Sequence, residues 1–155
     1  MFSMKKTCQT LVAAAAVSVL GIGSALANPT ATVTVQNDFS ELANFSSPSG
    51  CAATSASFVD IPAGQSRTVS LTSTQPRSQA CSIQYKKSGS SAYCRFQVSR
   101  LTTFSLGVFR WNYPQVYITK GGGADCTYTF TSVSDTGDIA DGSNGDFSVT
   151  LTVDE

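Results

Sequence analysis

Residues 81–99, CSIQYKKSGSSAYCRFQVS, decide the fold more than any other stretch of the chain. Two runs that alternate apolar and polar residues flank the turn-forming residues 88–91, SGSS, which is the pattern of a β-hairpin. Pairing the two runs across this loop places Tyr85 opposite Cys94. In that register the apolar and cysteine side chains share one face, because a side chain's face repeats every second residue. The stretch therefore predicts an antiparallel hairpin with one buried face.

Four cysteines follow residue 27: Cys51, Cys81, Cys94 and Cys126. An even number in an exported chain predicts two disulfides, with three possible connectivities. Within the hairpin, Cys81 and Cys94 would lie about 13 Å apart along the strands, at about 3.3 Å per residue. A disulfide needs Cα atoms within about 7 Å, so these two should not bond each other. Two pairings remain: Cys51–Cys81 with Cys94–Cys126, or Cys51–Cys94 with Cys81–Cys126.

The rest of the chain after residue 27 has the same strand character. Residues 30–35, 68–72, 126–133 and 147–153 alternate with a period of two, and Gly, Pro and Ser turns separate them. No segment in this part shows a long helical period. We predict an all-β fold: a disulfide-braced antiparallel β-sandwich, with a barrel as the alternative.

The first 27 residues have the composition of a secretory signal peptide. Lys5 and Lys6 precede the apolar residues 11–22, and residues 25–27, ALA, form a small-residue cleavage site. An uncleaved anchor is the alternative, but the apolar run is shorter than the roughly 20 residues of a membrane-spanning helix. We expect residues 28–155 to be a single secreted or periplasmic domain with no transmembrane segment after cleavage.

Charge is segregated along the chain. Every charged residue between positions 61 and 124 is basic, and every one from 125 to 155 is acidic. This pattern predicts a basic surface for an anionic partner, with an anionic polysaccharide, a lipid headgroup or a protein as candidates. The alternative is that the acidic part packs beside the basic part and neutralises it through cross-strand pairs. Nucleic acid is not expected, because the exported chain is acidic overall. The basic candidates for ligand binding are Lys86, Lys87, Arg95 and Arg110.

Aromatic residues are concentrated between positions 104 and 117. Trp111 and Tyr113 share one strand face and are candidates for stacking on a sugar ring or a partner protein. The alternative is that Trp111 fills the core, because large aromatic side chains dominate core energetics. The alternation changes phase beside Gly107, where we predict a β-bulge.

An acidic, glycine-rich segment precedes the last predicted strand. Four of its side chains are weak calcium candidates, because Ca²⁺ takes oxygen ligands: Asp135, Asp138, Asp141 and Asp146. The alternative is an ordinary turn, since Asn144-Gly145 is a strong hairpin signal. We expect no other metal and no cofactor.

The chain has no histidine, which removes the base of Ser-His and Cys-His catalysis, and we expect no enzyme activity. The expected function is an exported, non-enzymatic binding module for a glycan, a lipid headgroup or a protein. One alternative is a structural surface or pilus-type subunit that assembles by strand addition. Another is an inhibitor of a secreted hydrolase.

Overall fold

The computed structural model describes residues 28–49, 51, 58–134, 136–139 and 142–155, so the predicted signal peptide, residues 1–27, lies outside the described residues. The described residues form nine strands in two sheets without a closed barrel, which confirms the all-β prediction. The strands are β1 Thr30–Asn37, β2 Ala43–Ser49, β3 Ser66–Thr72, β4 Ser78–Lys87, β5 Tyr93–Ser105, β6 Val108–Trp111, β7 Gln115–Gly121, β8 Asp125–Val133 and β9 Phe147–Asp154.

The four-stranded sheet has the order β3-β1-β9-β8. Strand β1 pairs antiparallel with β3 but parallel with β9, where Val33 lies beside Val149. The prediction of an antiparallel sandwich is therefore wrong for this pair. Alternation of apolar residues specifies which face of a strand is buried and does not specify the direction in which a neighbour runs.

The five-stranded sheet has the order β2-β4-β5, and β5 pairs along its other edge with both β7 and β6. The β4–β5 register places Tyr85 opposite Cys94, as predicted from the sequence. Strand β5 has 13 residues and continues past the first residue of β4, which pairs with Leu101.

The end of β5 and β6 form a hairpin of their own, residues 101–111, which we call the β5–β6 hairpin. Ser105 pairs with Val108, so that Leu106 and Gly107 are a two-residue turn, with φ angles of 53° and 83°. The predicted bulge at Gly107 is wrong. A turn that reverses the chain changes the phase of alternation just as a bulge does.

The core lies between the two sheets, where Phe96 of β5 and Leu151 of β9 are fully buried. Two disulfides brace it. Cys51–Cys81 joins β4 to the segment after β2, with Cα atoms 4.4 Å apart, and Cys94–Cys126 joins β5 to β8, with Cα atoms 5.8 Å apart. The second disulfide is therefore the covalent link between the sheets. The sequence left two pairings open, and the structure has Cys51–Cys81 with Cys94–Cys126.

The link between the sheets makes a testable prediction. The Cys94→Ala/Cys126→Ala variant should lose about 3–4 kcal/mol of unfolding free energy, because the cross-link removes loop-closure entropy from the unfolded chain. The two cysteines are 32 residues apart in sequence, which sets this magnitude. Urea unfolding of the disulfide-bonded protein and of the variant measures it. An unchanged unfolding free energy would show that the apolar core alone holds the sheets together.

Candidate functional site

The charges of the two sheets differ in sign. The strands of the five-stranded sheet contain six basic residues and no acidic residue. Strands β8 and β9 of the other sheet contribute Asp125 and Asp154, and its β3 contributes Arg67. The five-stranded sheet is thus purely basic, whereas the four-stranded sheet carries both signs with a net negative charge. The six basic residues are Lys86, Lys87, Arg95, Arg100, Arg110 and Lys120.

Two of these six pair with the acidic end of the chain. Lys87 forms an ion pair with Glu155, and Lys120 Nζ lies 2.9 Å from Asp125 Oδ1. Both contacts join the five-stranded sheet to the C-terminal part of the chain. Lys87 was predicted as a ligand-binding residue, but its ammonium group is in an ion pair with Glu155 and its side chain is only 15% exposed. To this extent the acidic segment does neutralise the basic one.

A third basic residue, Arg100, is buried. Its side chain faces inward from β5 and is 1% exposed. The Nε atom donates to Asn112 O at 2.9 Å, and Nη2 donates to Ser134 O at 2.9 Å. The Nη1 atom donates to Ser134 Oγ and to Asp146 O, each at 2.8 Å. These bonds satisfy a cation that would be costly to bury alone. The sequence analysis missed Arg100. The alternation of Phe96 and Val98 gives it an inward position, but its hydrogen-bond acceptors come from segments distant in the sequence.

The remaining three basic residues, Lys86, Arg95 and Arg110, are exposed. The pairing register places all three on the outer face of the five-stranded sheet: Lys86 lies opposite Tyr93, Arg95 is on β5, and Arg110 lies opposite Thr103. Tyr93 and Thr103 are ten residues apart on β5, or about 33 Å at about 3.3 Å per residue. We call this outer surface, with its three cations, the basic face.

Two tyrosines lie on the basic face that the sequence analysis did not select. Tyr117 on β7 is 63% exposed and lies opposite Gln97. Tyr93 packs its ring over Gly121, where any Cβ would collide with the ring. The face also carries amides, and Arg95 Nε donates to Gln84 Oε1 at 2.9 Å. The signal available in the sequence was the alternation of β5 and β7, which assigns these residues to the surface.

The aromatic candidates separate into one buried and one exposed residue. Trp111 is 2% exposed, its Nε1 donates to Ser143 O at 3.1 Å, and its ring packs against Gly145. Tyr113 is 58% exposed and meets Phe130 edge-on, with ring centroids 5.5 Å apart. Trp111 therefore offers no face to a ligand, whereas Tyr113 lies outside the basic face, against β8.

The acidic segment is described in part. Asp135 and Asp141 lie outside the described residues, and Asp138 is half-buried beside β6. Asp146 Oδ1 accepts from Thr30 N at the start of β1 at 2.7 Å, and its Oδ2 accepts from Asn144 Nδ2 in the turn before β9 at 2.6 Å, so both carboxylate oxygens are hydrogen-bonded within the fold. Within the described part of the chain, no three His, Cys, Asp or Glu side chains are grouped as a metal ion would require.

A surface depression of about 490 Å³ lies away from the basic face, beside Cys51. Its lining is formed by small and amide side chains such as Ser73 and Gln79, and it contains no charged residue. None of the described residues forms a helix with the length and hydropathy needed to cross a bilayer.

Comparison with known proteins identifies no relative from which a function for the site could be inferred. The sequence matches no protein family model, and no curated protein matches it significantly.

The ion pair of Lys87 with Glu155 predicts how the stability of the protein depends on pH in the acidic range. Hydrogen bonds from Lys87 and then from Ser40 lower the pKa of Glu155 from 4.5 to about 2. Because this pKa is depressed, the stabilisation is present above pH 4.5 and is lost as the pH falls through about 2. Lys87→Gln should raise the pKa of Glu155 toward 4.5, as measured by NMR titration of its carboxyl carbon. The matched control, Lys120→Gln, should raise the pKa of Asp125 and leave that of Glu155 unchanged, because Lys120 lowers the Asp125 pKa. A Glu155 pKa still near 2 without Lys87 would contradict the pairing.

The contrast between the two aromatic residues makes a second prediction. Trp111→Ala should cost about 3–5 kcal/mol of unfolding free energy, since it empties a buried site. Tyr113→Ala removes an exposed ring and should cost less than half as much. Thermal and urea unfolding of both variants measure the difference. Equal losses would mean that Trp111 is not part of the packed interior.

Proposed function

We propose that the protein is an exported, non-enzymatic binding module that recognises an acidic polysaccharide through the basic face. The observation that carries the proposal is the division of the six basic residues of the five-stranded sheet. Arg100 is buried, and Lys87 and Lys120 are in ion pairs, of which only that of Lys120 is largely exposed. The other three basic residues are exposed and project from one side of the sheet.

The spacing of the cations supports a long, linear anion. Lys86 and Arg110 are separated by about 33 Å along β5, at about 3.3 Å per residue, with Arg95 between them. A small anion would meet only one of these charges at a time. A chain that repeats its negative charges can meet all three, and with no acidic residue in the strands of this sheet it meets little repulsion.

The uncharged side chains of the basic face support a sugar in particular. Tyr117 presents an exposed ring, and Gln97 lies opposite it on β5. Aromatic rings stack on the apolar faces of sugars, and amides form hydrogen bonds with hydroxyl groups. A charged sugar chain uses all three kinds of side chain at once.

A non-enzymatic role accords with the residues on the basic face. The chain has no histidine, and the strands of this sheet supply no carboxylate for acid–base chemistry. The exposed side chains of the basic face are suited to binding a ligand and not to transforming one.

Retention on heparin-agarose across a salt gradient tests the proposal. The exported protein should elute only above physiological salt, and Lys86→Gln/Arg95→Gln should elute at clearly lower salt, since screening acts on the charges that remain. The matched control is Lys87→Gln/Lys120→Gln, which removes the same net charge from two residues that pair within the fold. This control should elute close to the unmodified protein.

Either of two results would contradict the proposal. Flow-through of the unmodified protein at low salt would show that the basic face does not bind a polyanion. Elution of both double variants at the same salt concentration would show that net charge acts without regard to position.

A further inference from the structure

The turn of the β5–β6 hairpin holds a leucine where the backbone disfavours one. Leu106 has a φ of 53° and is the one non-glycine residue with a positive φ in the described part of the chain. A two-residue hairpin turn of this kind favours Asn or Gly at that position, because both tolerate the left-handed conformation. The Leu106 side chain is 95% exposed, so packing within the fold does not offset the backbone cost. Strain that stabilises nothing in the free protein points to a role in binding.

The apolar surface continues from the turn down one side of the hairpin. Phe104 is 60% exposed, and its ring lies 4.8 Å from that of Phe109, the residue opposite it. Leu106, Phe104 and Phe109 together form what we call the apolar tip. The hairpin backbone is paired from Thr102 to Ser105, so the tip is held on a regular structure.

One arginine lies against the apolar tip and a second lies at its base. The Arg77 guanidinium lies 3.7 Å above the ring of Phe109. Arg110 is opposite Thr103, three residues from Leu106, or about 10 Å at about 3.3 Å per residue. An acidic residue, Asp138, is half-buried and forms an isolated backbone bridge with Arg110. The hairpin strands themselves contain no acidic residue.

We infer that the apolar tip inserts into the surface of an anionic phospholipid bilayer, with Arg77 and Arg110 at the level of the phosphates. Leu106 at the apex is followed by the Phe104–Phe109 pair, with the Arg77 guanidinium over the Phe109 ring, and then by Arg110. The apex is thus apolar and the charges lie behind it, as headgroups lie behind hydrocarbon in a bilayer. Interfacial insertion reaches about 5–10 Å, and the distance from Leu106 to Arg110 fits that depth. Insertion ends there, because the outer edges of a two-stranded hairpin carry unpaired backbone groups that hydrocarbon excludes.

The residue types favour lipid over a sugar as the ligand of the apolar tip. An aliphatic leucine at the apex gives no ring for stacking, and the arginines behind it give charge complementarity to anionic headgroups. This inference goes beyond the polysaccharide proposal, which concerns the basic face.

Leu106→Asn tests the inference without risk to the fold. Asparagine followed by Gly107 suits the turn better than leucine does, so the thermal unfolding midpoint should be unchanged or higher. Flotation with vesicles of phosphatidylcholine and phosphatidylglycerol should show at least about tenfold weaker binding of the variant, because a leucine side chain no longer leaves water. Leu42→Asn is the matched control. It removes a leucine that is 36% exposed beside the Ser88 turn, at the other end of β4, and should bind vesicles like the unmodified protein.

Arg77→Gln tests the electrostatic part. The variant should bind the anionic vesicles about fivefold more weakly, which is the expected contribution of one basic residue near a charged membrane. Its binding to vesicles of phosphatidylcholine alone should stay at the weak level of the unmodified protein.

Three results would overturn the inference: no binding of the unmodified protein to anionic vesicles, equal binding by the Leu106→Asn variant, or equal loss in the Leu42→Asn control. Retention of the Leu106→Asn variant on heparin-agarose should match the unmodified protein. A failure at the vesicles is thus distinguishable from a failure of the polysaccharide proposal.

Discussion

The buried guanidinium of Arg100 is the interaction on which the functional surface depends. It lies where β5 leaves the sandwich and enters the β5–β6 hairpin, and it donates to Asn112 after β6, to Ser134 after β8 and to the carbonyl of Asp146 before β9. Burying a cation costs several kcal/mol unless hydrogen bonds replace its water, so these segments are held where they can accept. One side chain thus holds both the base of the β5–β6 hairpin and the turn that covers Trp111. The hairpin that carries the apolar tip is therefore held in position relative to the strands that carry the basic face.

Strand alternation decides which of the basic residues are available to a ligand. Lys86 and Lys87 are neighbours of identical chemistry, yet Lys87 reaches Glu155 while Lys86 projects from the outer face. Arg95 and Arg100 lie on the same strand, five residues apart, and the odd spacing sends one outward and the other into the interior. Because a strand presents its side chains with a period of two, a difference of one position separates a structural cation from an exposed one.

The same rule explains how much of the molecule could be predicted from its sequence. The β4–β5 register follows from the alternation of residues 81–99, and on its own it rules out a Cys81–Cys94 bond. The choice between the two remaining pairings depends on which end of the hairpin Cys51 lies beside, and the β2–β4 register, with Ser49 opposite Ser82, brings it to Cys81. Alternation carries no information on that point. The parallel pairing of β1 with β9 was missed for the same reason. Arg100, Leu106 and Tyr117 were missed because their roles come from what the tertiary fold places around them or leaves exposed.

The two proposed surfaces share strand β5, which fixes their relative direction. The basic face lies along the strand from Tyr93 to Thr103, and the apolar tip lies at the strand's far end. A hairpin that inserts end-on would stand β5 upright on the bilayer, so that a polysaccharide on the basic face would run away from the membrane and not along it. Arg110 belongs to both surfaces and would be the point where the sugar chain meets the headgroups. An upright module of this kind needs a rigid connection between tip and face. The continuous backbone pairing of β5, with β7 up to Ser99, with β4 up to Leu101 and with β6 beyond it, supplies that connection.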